Sequence, residues 1–389
     1  MTDAPRKSSR RELLGSLQPS AALEAAGVGK AASAGGDDGV SQRRRIPPSG
    51  GSTIRLSMRA MACDFTVILN AVTRPPIESS GEALERIAAV ETWMSMYREQ
   101  SELSIANREA HAGSVAICAD FLQLLRLAGQ LSKVTSGGFD IASGSLTKLW
   151  RTARKAGSLP SSSEVEEARQ ACGFSHVTID ESAATVKFGH PRLQLDPGAI
   201  GKGFALDDAA DWLASRDDGP ADFLLHGGHS SLLARGRHGG HDGWPVGLGN
   251  PLLTAQRMAT VLLRDQAMGT SGSNIQFFRH GGRRYGHILN PETGWPAEGM
   301  LSVTVFAASA AVADALSTAF FAIGAEKAVE CCRQMPEIGC ILTPMPERGT
   351  LLHPLVFGIP ADRIFWDESQ VQPQFPNLPP LSVAKLPLS

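Results

Sequence analysis

The sequence lacks the features that mark several large classes of protein. Its 389 residues carry a formal net charge of −2. That balance argues against a nucleic-acid-binding protein, which would usually show a concentrated basic surface. No apolar run approaches the length needed to span a bilayer. We therefore expect neither nucleic acid among its partners nor a transmembrane segment, and the length suffices for one large domain or two intimate ones.

Cysteine is scarce and irregularly spaced. The six cysteines include no C-x-x-C pair, so the sequence predicts neither a disulfide framework nor a cysteine zinc site, and we expect buried or idle thiols. Four histidines lie in glycine-rich stretches without ligand spacing, and we expect them to be exposed to solvent rather than bound to zinc. They are His226, His229, His238 and His241.

Tyrosine is scarcer still, with two residues in the chain. One of them, Tyr97, lies in the polar stretch M-S-M-Y-R-E-Q-S that follows a predicted helix. Its ring could stack on a flat ligand or fill the edge of the core, and the residue alone favours the second interpretation.

Both ends of the chain lack periodic apolar positions. Residues 1–52 have a composition typical of disorder. Within them, Ser9–Leu14 (S-R-R-E-L-L) resembles a twin-arginine export signal, although polar residues and a proline interrupt the apolar stretch that should follow. A solvated basic tail is the alternative to a degenerate signal. Residues 359–389 are predicted to form a proline-rich tail, which leaves one domain over residues 53–358.

The segment Ser309–Gly324 predicts a buried helix, capped by its first residue and stopped by its last. Asp314 lies in the middle of this helix, with Thr318 on the same face. A buried carboxylate is costly unless a cation, a metal or several hydrogen-bond donors accompany it. Asp314 is therefore a candidate site residue, and the alternative is that it caps a neighbouring loop.

A second informative stretch, Leu195–Leu213, reads L-D-P-G-A-I-G-K-G-F-A-L-D-D-A-A-D-W-L. It predicts a strand that ends at Asp196, a glycine-rich turn, and a helix over Gly203–Leu213. A glycine turn at a helix N-terminus favours phosphate, and Lys202 adds positive charge. The spacing matches neither a Walker loop nor a dinucleotide fingerprint, so a purely structural turn is the alternative.

Helical and strand-like segments alternate along the rest of the chain and predict an α+β fold. The predicted helices include Glu78–Met96 and Phe121–Val134, and a short helix begins at Ser161–Ser163. The predicted strands lie after Cys63 and in Val177–Asp180, Thr185–Phe188, Leu193–Leu195, Phe223–Leu233 (two strands around a Gly-Gly turn), Trp244–Leu248, Met258–Leu263, Leu301–Ala307, Ile338–Leu342 and Leu351–Phe357.

Several of these stretches together resemble the ApbE family of flavin transferases. The matching segments occur in the order of the family over roughly residues 55 to 345, and eight motifs in order are highly specific. They are Met61 in R-A-M-A-C, Met94–Asn107, Thr135–Trp150 (T-S-G-G-F-D-I-A-S-G-S-L-T-K-L-W), Asp196–Ala205, His226–Gly236, Thr270–Gly272, Tyr285–Pro296 (Y-G-H-I-L-N-P-E-T-G-W-P) and Ala313–Gly324.

The resemblance implies an α+β fold of mixed and antiparallel sheets with packed helices. It also implies an Mg²⁺-dependent enzyme that cleaves the pyrophosphate of FAD, attaches FMN to a threonine or serine of an acceptor protein, and releases AMP. By resemblance, Asp314 and Thr318 would be side-chain metal ligands, and Ala199 would give a main-chain carbonyl. The positions that would contact the flavin or the nucleotide are Met61, Tyr97, Gly138, Phe139, Asp140, Asp196, Lys202 and His287.

The resemblance leaves some choices open. Either Asp196 or His287 could take the proton of the acceptor hydroxyl. The chain departs from the usual family pattern at Ala62-Cys63, Ser273-Asn274 and Asn290, which lie around the site rather than at a metal ligand. A FAD pyrophosphatase and a non-catalytic flavin-binding protein are the alternative functions. The family habit and the arginine pair favour the cell envelope over the cytoplasm.

Overall fold

The computed structural model describes residues 48, 50–273 and 276–376. All of them fall within one compact unit, residues 45–389. Nearly all of the segment predicted as an export signal or a disordered tail lies outside the described residues, so that interpretation and the predicted localisation stay predictions. Within the described part of the chain, no helix combines the length and the apolar character needed to cross a membrane.

Eight α-helices and sixteen strands make up the described residues, which confirms the predicted α+β class. The helices are α1 Ile77–Met94, α2 Glu102–Glu109, α3 Ala119–Val134, α4 Gly144–Ala156, α5 Ser162–Gln170, α6 Gly201–Ser215, α7 Ala310–Ile323 and α8 Ala325–Gln334. The strands are β1 Thr53–Ala60, β2 Cys63–Asn70, β3 Val115–Ala116, β4 Val177–Asp180, β5 Thr185–Phe188, β6 Phe223–Gly227, β7 Ser231–Arg235, β8 Trp244–Gly249, β9 Arg257–Leu263, β10 Gln266–Gly272, β11 Phe277–His280, β12 Arg283–Gly286, β13 Met300–Ala307, β14 Gly339–Pro344, β15 Leu355–Phe357 and β16 Ile364–Trp366.

An eight-stranded sheet is the centre of the fold, in the order β1-β2-β6-β7-β10-β13-β14-β15. Every neighbouring pair in it is antiparallel. Two three-stranded sheets, β16-β9-β8 and β3-β5-β4, and the hairpin β11-β12 complete the strands. All eight residues of β13 are buried, as expected for a central strand that is covered on both faces.

The central sheet separates two apolar cores. One core packs the sheet against the helices and contains Phe65, Leu206 and Phe320. The other packs the opposite face against β8, β9 and β16, and it contains Ile364 and Val371. The chain therefore contributes core residues beyond position 358, where the sequence predicted the start of a proline-rich tail.

Two glycines bring the helix α7 unusually close to its neighbours. A Cβ atom at Gly203 of α6 would lie 2.2 Å from the carbonyl oxygen of Ala310. A Cβ atom at Gly269 of β10 would lie 2.5 Å from the backbone of Ala313. The absent side chains allow α6 and β10 to pack directly on the backbone of α7. This packing places Asp314 against both elements.

The structure adds one local feature to the predictions and corrects two. The predicted strand after Cys63 is present as β2, and a further strand, β1, precedes it and forms a hairpin with it around Met61-Ala62. Leu193–Leu195 is not a strand, because the side chain of Asn107 takes the place of a neighbouring strand. The Asn107 side-chain NH₂ donates to the Leu195 carbonyl, and Oδ1 of Asn107 accepts from the Leu195 N–H. His238, predicted to be exposed, is 3% exposed and stacks on Trp244.

The buried His238 holds the start of the fold in place. Its Nε2 accepts a hydrogen bond of 2.7 Å from the N–H of Gly51, so its Nδ1 is the nitrogen that donates to Oδ1 of Asn70. Among the other histidines in that prediction, His229 is exposed, whereas His226 and His241 are half-buried. In the described part of the chain, no group of three or more His, Cys, Asp or Glu side chains could hold a metal ion.

Candidate active site

A large cleft, with a volume of about 1160 Å³, opens beside α7. Side chains from residue 61 to residue 318 line it, so distant parts of the sequence meet there. Every site residue predicted from the sequence lies on its wall. They are Met61, Tyr97, Gly138, Phe139, Asp140, Asp196, Ala199, Lys202, His287, Asp314 and Thr318.

Asp314 lies at the bottom of the cleft and is 5% exposed. Its carboxylate accepts a hydrogen bond of 2.9 Å from the N–H of Gly203 and bonds of 2.7 and 2.8 Å from Oγ of Ser231. Burial raises the pKa of Asp314, while the charge of Lys202 and these two donors lower it. The bond from Gly203 is the capping contact that the sequence allowed as the alternative. The same carboxylate also lines the cleft.

A backbone oxygen is also available beside Gly203. The N–H of Gly203 belongs to the first turn of α6, where N–H groups have no partner within the helix, and Asp314 supplies its acceptor. No described residue gives a hydrogen bond to the carbonyl of Ala199, which precedes the helix. Asp314 and Ala199, the predicted carboxylate and carbonyl ligands, therefore both lie beside Gly203.

Hydroxyl groups surround the same point. Oγ1 of Thr318 donates to the Asp314 carbonyl at 3.2 Å and lies 3.0 Å from Oγ of Ser271. Oγ of Ser271 also lies 3.0 Å from Oγ of Ser317. One carboxylate, one carbonyl and several hydroxyls form a donor set made only of oxygen atoms. Such a set fits a hard cation such as Mg²⁺, which takes few protein carboxylates and keeps positions for water and phosphate.

Asp196 lies on the turn that leads into α6, and Lys202 lies in the first turn of that helix. Oδ1 of Asp196 accepts from the N–H of Gly198 at 2.9 Å, and Oδ2 lies 3.5 Å from the guanidinium of Arg151. Burial raises the pKa of Asp196, and the contacts with Gly198 and Arg151 lower it. The carboxylate is thus already engaged by two protein groups. Lys202 is half-buried and faces the cleft beside Asp314.

His287 also lines the cleft and follows β12 directly. Its Nδ1 lies 3.1 Å from the carbonyl of Gln276, and a carbonyl can only accept, so Nδ1 carries the proton. In the neutral ring Nε2 is then the free base. Desolvation in the cleft lowers the pKa of His287, the bond to Gln276 raises it, and the charges of Arg154 and Lys202 lower it further.

Apolar and aromatic side chains also line the cleft. Tyr97 is 80% exposed, which excludes the interpretation that it fills the edge of the core. Met61 lies at the tip of the β1-β2 hairpin, where it and Ala62 have positive φ angles of 48° and 61°. On another wall, Trp150 stacks on Tyr285 with ring centres 6.1 Å apart.

The segment Gly138–Asp140 lines the cleft, and hydrogen bonds within the protein hold it in place. The Phe139 side chain is buried, and its N–H donates to Oγ1 of Thr135 at 3.0 Å. The Asp140 carboxylate accepts from the N–H groups of Ala142 and Phe174, both at 2.8 Å. Burial raises the pKa of Asp140, and these two bonds lower it. Asp140 therefore holds its own loop against the segment before β4.

The sequence missed several residues in and around the cleft. Ser271 lines the cleft and contacts Thr318, whereas Ser231 is fully buried and donates to Asp314. Nothing in their local spacing distinguishes them from other serines of glycine-rich strands. Arg151 and Arg154 lie one turn apart on α4 and face the cleft, a spacing that could have indicated a shared basic face. The departure at Asn290 has a structural explanation, since its Oδ1 accepts from the N–H groups of Glu292 and Thr293, as an aspartate would.

Comparison with known proteins gives a consistent result. The model of the ApbE family matches residues 52–342. The chain is 30% identical over 262 residues to a FAD:protein FMN transferase of Haemophilus influenzae, covering 65% of this chain and 75% of the relative. It is 31% identical over 302 residues to one of Treponema pallidum, covering 71% and 82%. The crystal structure of an ApbE protein from Thermotoga maritima matches with a TM-score of 0.69 at 27% identity, covering 75% of this chain and 94% of that one.

Proposed function

The chain belongs to the ApbE family, and from this premise we propose that it is an Mg²⁺-dependent FAD:protein FMN transferase. It would attach FMN through a phosphoester to a threonine or serine of an acceptor protein and release AMP. One observation carries the proposal: every residue that the family resemblance assigns to metal, nucleotide or flavin lies on the wall of a single cleft. Its volume of about 1160 Å³ is ample for a dinucleotide.

The residues at the bottom of the cleft suit the pyrophosphate. Asp314, the Ala199 carbonyl and Thr318 would hold Mg²⁺, which when bound neutralises the pyrophosphate and stabilises the departing AMP oxygen. Lys202, at the start of α6, adds positive charge for the same phosphates. Arg151 keeps Asp196 oriented beside them. Phosphoryl transfer depends mainly on positioning and charge stabilisation, so these groups suffice.

The acceptor hydroxyl would be activated by His287. The hydroxyl oxygen of the acceptor attacks the phosphorus on the FMN side of the pyrophosphate, and the bond from that phosphorus to the AMP oxygen breaks. The hydroxyl proton passes to Nε2 of His287. Two observations favour His287 over Asp196 as the base. Nε2 is the unprotonated nitrogen of the neutral ring, and the Asp196 carboxylate is engaged by Gly198 and Arg151.

The test is direct. The protein is incubated with FAD, Mg²⁺ and the apo form of a domain that carries FMN on a threonine, and the intact mass of that domain is measured. A gain of one FMN moiety, abolished by a chelator and by a Thr→Ala change in the acceptor, supports transfer. Release of FMN and AMP without any gain would identify a pyrophosphatase. Intact FAD after incubation would identify a flavin-binding protein.

A further inference from the structure

A second, smaller cavity adjoins the cleft at His287. Its volume is about 270 Å³, and it shares four wall residues with the large cleft. The shared residues are Gly272, Gly286, His287 and Ile288. His287 therefore stands between the two cavities, with the proposed FAD site on one side and the smaller cavity on the other.

The smaller cavity has an apolar floor and a polar rim. Ile288, Met300 and Phe321 are buried in its wall, and Met345 stands at its edge with 58% of its surface exposed. The backbone N–H of Met345 donates to the Gly299 carbonyl at 2.9 Å, which fixes the residue at that edge. The rim includes Glu298, whose carboxylate pairs with Arg283 at 2.6 Å.

We propose that this cavity holds the segment of the acceptor protein that carries the target hydroxyl, an inference that rests on the proposed function. The occupant is a short extended segment with one apolar side chain within a few residues of its threonine or serine. FAD would fill the large cleft, so the hydroxyl has to reach His287 from another side, and the smaller cavity opens there. Its size suits a side chain rather than a separate cofactor. The apolar floor would take the anchor, as in other grooves that bind extended peptides.

The experiment changes Met345, whose exposure makes its replacement compatible with folding. Transfer of FMN to the apo acceptor domain is measured as a function of acceptor concentration for wild type, Met345→Asp and Met345→Leu. The control is Val72→Asp, which changes an apolar residue of similar exposure, 54%, outside both cavities. FAD affinity, melting temperature and FAD cleavage without acceptor are measured for each protein.

We expect Met345→Asp to raise the acceptor KM by at least about tenfold, with FAD affinity, basal FAD cleavage and melting temperature unchanged. Met345→Leu and Val72→Asp should behave as wild type. An acceptor KM for Met345→Asp within about twofold of wild type would overturn the docking site. A loss of FAD affinity as large as the rise in acceptor KM would also overturn the docking site, because it would place Met345 in the nucleotide site. Absence of transfer by the wild-type protein counts against the proposed function itself.

Discussion

The backbone N–H of Gly203 lies 2.9 Å from Oδ2 of Asp314, and this bond joins the first turn of α6 to the middle of α7. It gives an acceptor to a first-turn N–H that has no partner within its own helix. The close contact of the two helices requires glycine at position 203, because a Cβ atom there would lie 2.2 Å from the Ala310 carbonyl oxygen. The packing of two helices thus brings together a carboxylate and a free carbonyl.

The first prediction concerns the carboxylate. Asp314→Asn keeps the size of the side chain and an oxygen that can accept from Gly203, but it removes the charge. We expect FAD cleavage to fall by at least about 100-fold, because several kcal/mol of charge stabilisation would be lost. Mg²⁺ should raise the melting temperature of wild type and leave that of the variant unchanged.

The matched control for this change is Asp217→Asn, at an exposed position after α6. It should keep both the cleavage rate and the stabilisation by Mg²⁺. Full FAD cleavage by a folded Asp314→Asn protein would exclude Asp314 as a metal ligand.

The sequence identified Asp314 because an aspartate stands out in a helix that is apolar on every side. It could not identify the partners. Ser231 lies 83 residues away, and Gly203 contributes a backbone N–H that no sequence pattern reports. The same limit applies to Asp196 and His287, which the sequence left as equal candidates for the base. Only the contacts with Arg151 and with the Gln276 carbonyl distinguish them.

The second prediction concerns this base. His287→Gln should lower the rate of transfer to the acceptor by about 10²–10⁴-fold, the usual contribution of a general base, while FAD affinity is kept. The base must be neutral, so transfer should fall as pH drops through the pKa of His287. Desolvation lowers that pKa, so the wild-type rate should hold to a pH below the ordinary histidine value of about 6.5. Rates measured from pH 5 to 8 check this, and an unchanged pH profile in His287→Gln would point to another base.

The β1-β2 hairpin shows why part of the fold could not be predicted. Two-residue hairpin turns of this kind usually carry asparagine or glycine, because both residues need positive φ. Here Met61 and Ala62 occupy the turn, with φ angles of 48° and 61°, so the sequence R-A-M-A-C-D contains no turn signal.

The third prediction follows from that turn. Alanine is disfavoured in the left-handed region, and glycine adopts it without a steric penalty. Ala62→Gly should therefore raise the free energy of unfolding by about 0.5–1 kcal/mol. Urea denaturation measures the change. As a control, Ala214→Gly in the last turn of α6 should lower stability by at most about 1 kcal/mol, because glycine has a lower helix propensity than alanine. A destabilised Ala62→Gly protein would show that the Ala62 methyl group makes a favourable contact.

The fourth prediction concerns Asp207 of α6, which caps α7. Its carboxylate accepts from Oγ of Ser309 and from the N–H groups of Ala310 and Ala311, at 2.6 to 2.9 Å. Burial raises the pKa of Asp207 to about 6 although these bonds oppose the shift. The folded protein then binds a proton between about pH 4 and 6 that the unfolded chain does not. The contribution of Asp207 to stability is complete below about pH 4 and is lost as pH rises through 6.

Comparison of wild type with Asp207→Asn isolates this contribution from those of the other buried carboxyl groups. A difference of about two pKa units corresponds to about 3 kcal/mol at most. The free energy of unfolding of wild type relative to the variant should therefore decline from pH 4 to pH 6.5 and stay level above that. Parallel stability profiles of the two proteins would show that Asp207 has an ordinary pKa.

The last prediction concerns Tyr97, whose side chain is 80% exposed at the wall of the cleft. If the ring stacks on the isoalloxazine, the aromatic pair should contribute about 1 kcal/mol beyond the burial of area. Tyr97→Phe should keep most of the FAD affinity, whereas Tyr97→Ala should weaken it by about tenfold, and added Mg²⁺ should not restore it. Because the side chain is exposed, neither change should shift the melting temperature of the ligand-free protein. Phe375→Ala, at a residue that is 55% exposed and outside the cleft, is the control. Isothermal titration with FAD and thermal denaturation of the three variants decide the question: unchanged affinity in Tyr97→Ala would show that the flavin does not contact this ring.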